Sequence, residues 1–347
     1  FQGNGHSIKG LKMDNTNNGG YKHAGLFCSL KDAIIENLVI DSSCSFNGWQ
    51  AGALSASLNG SLTANNITNN AAVSGSYRIG GFIGEIKDLK QPSVILFDNC
   101  INNGTVTGIC SGGLIGFISG NISMTMIVSH SINNKKVDGK NNKAGGFVGH
   151  VYKTSMTMTI VNSTNNGPIT GFSLMGGFVG FFSSSTSATV AIFNCMNNGM
   201  ATGGDNSQVG GFIGSTHRNK NTTTTITNSI NNGNLTGGLY AGGFVGYIYS
   251  SQRDSEAFDI INSANKGSVS SKKDMACGFV CVDSEDNMNV KTTMKNSINN
   301  GSVNAGRDGY GIADIITEAR NVVSMGDVTG PSGSYTFWNA STDVDLF

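Results

Sequence analysis

The residues of this chain able to do chemistry are five histidines, seven cysteines and two loose runs of carboxylates. Metal-assisted hydrolysis would need ligands at fixed spacing, such as H-E-x-x-H. His6, His23, His130, His150 and His217 stand in no such pattern. Acid–base cleavage of a glycosidic bond would need two carboxylates brought close together. Asp254, Glu256 and Asp259, then Asp283, Glu285 and Asp286, come nearest to this, with Lys272, Lys273 and Asp274 between the two runs. They fall in loop stretches with no partnered base, which favours a solvated face. No G-G-x-G-x-D pattern marks a calcium site. The residues therefore assign no catalytic, metal-binding or cofactor-binding group, and the expectation is a protein that is not an enzyme.

What must position these residues is a repeat. A unit of roughly 31–35 residues, N-[SC]-x-N-N-G-x-[VIL]-x-G followed by G-G-[FL]-[VI]-G, recurs from Ile67 to Gly330. Within one unit, Thr225 to Asn231 alternates apolar and polar residues at period two and reads as a strand. Asn232-Gly233 turns the chain, Leu235 opens a second short strand, and Gly243-Phe244-Val245-Gly246 leads a third. No helical period is present. Three short strands per repeat predict an all-β fold, a right-handed parallel β-helix of about ten coils rising about 4.8 Å each.

Equivalent residues of successive coils then stack into columns. Asn102, Asn133, Asn165, Asn197, Asn231, Asn265 and Asn299 form one, in which buried amides can satisfy one another along the axis. Phe147, Phe178, Phe212, Phe244 and Phe279 form another. Strand alternation places each Phe and the following Val or Ile on opposite faces. The loops after the third strand, such as 184–188 and 215–222, are therefore expected to cover the Phe column, with an added outer strand in some coils. Thr-bearing stretches (154–159, 222–225, 292–293) do not hold their spacing from coil to coil, which argues against a water-templating face.

Cys100 and Cys195 share their repeat position with Ser131, Ser163, Ser229, Ser263 and Ser297, and read as small inward packers. Cys28 and Cys44 are the pair open to a disulfide. Cys277-x-x-x-Cys281 lacks His partners and reads against a metal site. His130 stands where other repeats hold Asn, as in Asn162 or Asn228. The chain divides into divergent N-terminal coils (1–66), regular repeats (67–330) and an aromatic tail (331–347), which is a cap or the start of a further segment. Its opening without Met suggests a processed or excised piece of something longer.

F-x-G-N-G-H-x-I-x-G-L from Phe1 to Leu11, then Gly25-Leu26-Phe27, then Ile35 to Ile40, resembles the coil pattern of secreted and surface proteins built from GLUG-type repeats of bacteria and protists. The later N-[SC]-x-N-x-G units resemble that family too. The resemblance covers nearly all of the chain and implies a parallel β-helix at the cell surface or outside the cell.

Composition narrows the partners. With 22 basic and 22 acidic residues the net charge is zero, so no basic field is available for nucleic acid. No apolar run approaches the roughly 18 residues of a membrane-spanning helix. The reading is a non-catalytic rod whose variable loops bind protein or glycan on another surface. The alternatives are a subunit that assembles end to end with copies of itself, or a carbohydrate-active β-helix enzyme. Asn121 and Asn221, in the loops, are the best-placed acceptors for glycosylation.

Overall fold

The alternation that marks each strand buries one face, but a strand of five to seven residues is not stable alone; it is completed by its counterpart in the next coil. The computed structural model describes residues 1–15, 22–87, 89–120, 123–250, 255–282, 289–337 and 344–345. These residues wind as a right-handed parallel β-helix.

The coil from Ser155 to Ser183 shows the plan. Its first wall is Ser155–Val161 and Thr164–Asn165, its second Ile169–Thr170 and Leu174–Gly176, and its third Val179–Ser183. Every segment pairs in parallel with the coils on either side; Met158, for example, aligns with Met126 and Val190. Among the described residues the first wall is a 17-stranded sheet, and the other two belong to one bent 29-stranded sheet. The N-terminal coils join the same body, since Ala33–Ile40 pairs with Leu62–Asn69. Past Gly330, Gly333–Phe337 and Val344–Asp345 add further strands to the two sheets.

Three amide columns run along the axis. In the buried one, each Asn donates its Nδ2 to the Oδ1 of the following coil, from Asn69 to Asn102 (2.9 Å) through Asn165 to Asn197 (2.8 Å) to Asn265 and Asn299 (2.7 Å). From Asn69 to Asn265 each also donates to the carbonyl two residues on, as Asn197 does to Gly199 (3.1 Å), while Asn299 donates to the Gly311 carbonyl (2.9 Å). Both amide protons are thereby used in a site closed to water, where an unmet donor would be costly. The column ends on Ser324 Oγ, 3.2 Å from Asn299 Nδ2.

A second column turns the chain. Asn162, Asn194, Asn228 and their counterparts bend the first wall with φ of 49°, 53° and 50°, a left-handed conformation that Asn tolerates better than most residues. His130 takes the same conformation and accepts from Asn162 Nδ2 at 3.2 Å through its Nε2. The bend frees the next backbone N–H, which the Ser or Cys position satisfies: Ser131 N–H donates to Ser163 Oγ, and Cys195 N–H to Ser229 Oγ. The third column, Asn103 to Asn232, lies at the turn; like the bend asparagines, its amides donate toward the preceding coil.

The Phe column is not an outer face. Phe147, Phe178, Phe212, Phe244 and Phe279 are fully buried and stack with centroids 4.7 to 5.0 Å apart, in the same core as Val128, Ile160, Ile192 and Ile226 of the first wall. The chain folds sharply at Gly-Gly-Phe, so strand parity does not carry across it, and Phe178 and Val179 both enter the core. Loop 184–188 does not cover it; it makes a compact corner with Ser184 and Ser187 left-handed and Thr186 bridged to Lys220. Only glycine fits the fold itself: a Cβ on Gly176 would collide with the Val179 carbonyl oxygen, and one on Gly177 with Gly211.

Three other expectations change. Cys28 and Cys44 are separate thiols, the first exposed on the strand Phe27–Leu30 and the second buried between Ala33–Ile40 and Ser45–Gly52, with its Sγ donating to the Ile8 carbonyl. The disulfide instead joins Cys277 and Cys281, whose Cα atoms the Gly-Phe fold brings to 5.6 Å. Thr125, Thr157, Thr189 and Thr223 do align in one outward column. Corners of unequal length had displaced them in sequence but not in register.

Candidate functional site

The sharp fold at Gly-Gly-Phe places the second and third walls back against each other, and their outward side chains meet along a seam parallel to the axis. The second wall contributes, coil by coil, Arg78, Cys110, Lys143, Leu174, Gln208 and Tyr240. The third contributes Glu85, Phe117, His150, Phe181, Ser215 and Tyr247. Each second-wall residue faces the one seven positions later: Arg78 is paired with Glu85, Lys143 Nζ lies 3.5 Å from His150 Nδ1, and the Tyr240 and Tyr247 rings stack at 4.2 Å.

Charge is handled differently along the seam. Buried Glu85 accepts from Arg78 and the Gln50 amide, and Lys87 Nζ stands 3.5 Å away, so this carboxylate is fully matched. Arg78 also lies 4.1 Å over the Phe117 ring. Lys143, two coils further on, has no carboxylate in reach among the described residues. It sits 4.9 Å over the Phe181 ring, and burial holds its pKa below the usual lysine value. Cys110 lies between the two cations, yet burial raises its pKa and keeps it a thiol, too weak a nucleophile for attack.

Ser183, His150 and Lys143 form a line of hydroxyl, imidazole and ammonium, with His150 Nε2 3.0 Å from Ser183 Oγ. Nucleophilic catalysis would need the imidazole to take the serine proton. An ammonium at Nδ1 makes that nitrogen the acceptor and leaves the proton on Nε2, pointing at Ser183. Burial, then the Lys143 and Arg78 charges, push the His150 pKa down to about 2. The line can present charge and hydrogen bonds but cannot activate Ser183.

The rim of the third wall adds rings and cations. Lys153 lies 5.1 Å over Tyr152 and Arg218 5.7 Å over Tyr249, while His217 meets Tyr249 edge-on at 4.4 Å. Between neutral residues such as Cys110, Leu174 and Gln208, the seam from Arg78 to Arg218 thus sets cations and aromatic rings, with Glu85 the carboxylate among its described residues.

The carboxylates singled out in the sequence do not converge. Glu256 is buried and accepts from Asn219 Nδ2 at 3.1 Å, whereas Asp259 lies on the outer face of the first wall. Asp274 pairs with Arg307 at 2.8 Å, and Lys272 reaches Asp205 at 3.5 Å. Asp254, Asp283, Glu285 and Asp286 lie outside the described residues, as do Asn121 and Trp338. Asn221 is exposed at a corner, its Oδ1 accepting from Ser255 Oγ at 2.9 Å. Among the described residues no group of three or more His, Cys, Asp and Glu is placed to hold a metal ion. Among the described residues no helix is long and apolar enough to cross a membrane.

Sequence reading missed the seam. Its signal was present in the residues flanking the fixed G-G-Φ-[VI]-G block: Arg78 with Glu85 and Tyr240 with Tyr247 are complementary across seven positions. Comparison of the chain with protein-family models, with curated proteins and with solved structures returned no match.

Proposed function

We propose that this chain is a non-catalytic adhesive rod of the GLUG-repeat kind, secreted or displayed at a cell surface, that holds ligands on another surface along its seam. The observation that carries this reading is the contrast between what recurs and what varies. Recurrent Asn, Ser and Phe residues are consumed by contacts between coils. Seam residues share one register, yet differ from coil to coil in charge, size and aromaticity. A backbone that holds position while its side chains vary is suited to recognition. The Ser183–His150–Lys143 line, unable to act as a relay, supports binding over turnover.

The test is binding of the intact chain to arrayed glycans and to fixed cells, with and without the triple change Arg78→Gln, Lys143→Gln, Arg218→Gln. Binding without turnover, reduced by the triple change, is the expected result. Absence of binding to every glycan and cell surface would overturn the proposal, as would release of a cleaved product.

A further inference from the structure

The geometry points to the Lys143 coil as a subsite for a carboxylate-bearing pyranose, with the ammonium taking the carboxylate and the Phe181 and Tyr152 rings taking the apolar face of the sugar. This inference rests on the reading of the seam as a binding surface. Three observations carry it.

First, among the described residues Lys143 is a largely buried cation of the seam with no carboxylate within ion-pair distance, whereas Lys153 and Arg218 lie at the rim. Arg78 and Lys87 share Glu85, and Arg307 pairs with Asp274 and Asp308. The neighbours of Lys143 are a neutral imidazole 3.5 Å away, a neutral thiol in the preceding coil and the Phe181 ring. A partly buried ammonium without an anion is costly, and an arriving carboxylate restores the missing interaction.

Second, the surroundings suit a sugar better than a bare anion. Phe181 and Tyr152 are half-buried, so part of each ring remains open on the outer side. His150 lies between them, 4.9 Å from Phe181 and 5.7 Å from Tyr152, and braces both. Aromatic faces take the apolar C–H face of a pyranose, while a hydrated inorganic anion gains nothing from them.

Third, the charge continues along the axis. Lys153 and Arg218 lie on the rim on either side of the Ser183 coil, each over a tyrosine ring. An extended chain of such sugars running along the seam would meet a ring and a cation at intervals of one or two strand spacings. An acidic peptide would use the cations but leave the rings idle. Single-stranded nucleic acid would require a larger excess of positive charge than a chain of zero net charge supplies.

The test titrates the intact chain with four probes: an oligogalacturonate, the neutral galactose oligomer of equal length, an oligoglutamate peptide and a single-stranded oligonucleotide. The uronate oligomer is expected to bind about tenfold or more tighter than the others, and Lys143→Met to remove that margin. Removing an unpaired buried charge does not endanger the fold, and the thermal midpoint of the variant verifies this. Phe181→Ala is expected to weaken uronate binding while leaving the weak peptide signal unchanged. Equal binding of the neutral oligomer, an unaffected Lys143→Met, or tighter binding of peptide or oligonucleotide would overturn the subsite. Only a failure of all glycans and cell surfaces would also remove the broader reading.

Discussion

The outer face of the first wall and the seam between the other two are built on the same coils, yet they are made by opposite rules. On the first wall like stacks on like: Thr125, Thr157, Thr189 and Thr223 share a column beside the bend asparagines. The four longer first-wall strands Ser123–Ser129, Ser155–Val161, Thr189–Phe193 and Thr222–Thr227 contain no Asp, Glu, Lys or Arg. Along the seam, residues of the same register run Arg78, Cys110, Lys143, Leu174. A stacked column works best when every coil supplies the same hydrogen-bonding group, so it resists change. A seam residue finds its partner seven positions away within its own coil, so each pair can vary independently. Regularity here marks what holds the rod together, and irregularity marks where it can recognise something.

This contrast can be broken in order of expected effect. Asn197→Ala interrupts the buried amide column, leaving one Nδ2 proton of Asn165 without its acceptor and Asn231 Oδ1 without its donor. A loss of about 2–4 kcal/mol is expected, measured by denaturant unfolding; a loss under about 0.5 kcal/mol would show that the column is dispensable.

Acidification probes the seam. The folded-state pKa of His150, about 2, is depressed below the ordinary histidine value of 6.5. Its contribution is fully present above 6.5 and is lost as pH falls, because the unfolded chain takes up the proton first. The limiting slope is about 1.4 kcal/mol per pH unit for a buried imidazole. His150→Phe should flatten the decline of the thermal midpoint between about pH 6 and pH 4 relative to the native chain; parallel curves would place the acid sensitivity elsewhere.

Asn228→Ala, at a left-handed bend, should cost about 1 kcal/mol, and Asn228→Gly less, because only the former strains the backbone. Smallest of all, Lys143→Met should leave stability at or slightly above that of the native chain, since the charge it removes is unpaired. A loss above about 1 kcal/mol would mean that the ammonium supports the fold.

How much of this was legible follows from the same contrast. The period and the column of Asn102 to Asn299 could be read because identical residues at equivalent positions survive corners of different length. The path of the chain through Gly-Gly-Phe could not. Counting faces assumes an uninterrupted strand, and the fold at Gly176-Gly177 resets the count, which is why Phe178 was assigned to an outer face and lies in the core. The Cys277–Cys281 bridge and the pairing of Lys143 with His150 depend on that same fold and were missed with it. The bend at Asn228 was hidden for another reason: its neighbours continue the alternating pattern, and nothing in residue type distinguishes a left-handed Asn from an extended one.

The buried amide column has a mechanical consequence. Its hydrogen bonds, like the backbone bonds between coils, point along the axis of the rod, so a pull on the two ends loads them in tension. The terminal coil is held from one side only and gives way first, followed by the next. Between 31 and 34 residues separate successive amides in the repeats, and each coil that opens therefore releases about 110 Å of slack in place of one strand spacing. Under load the rod behaves as a graded extensible tether, whose force–extension trace should climb in steps of about that length rather than break in a single event.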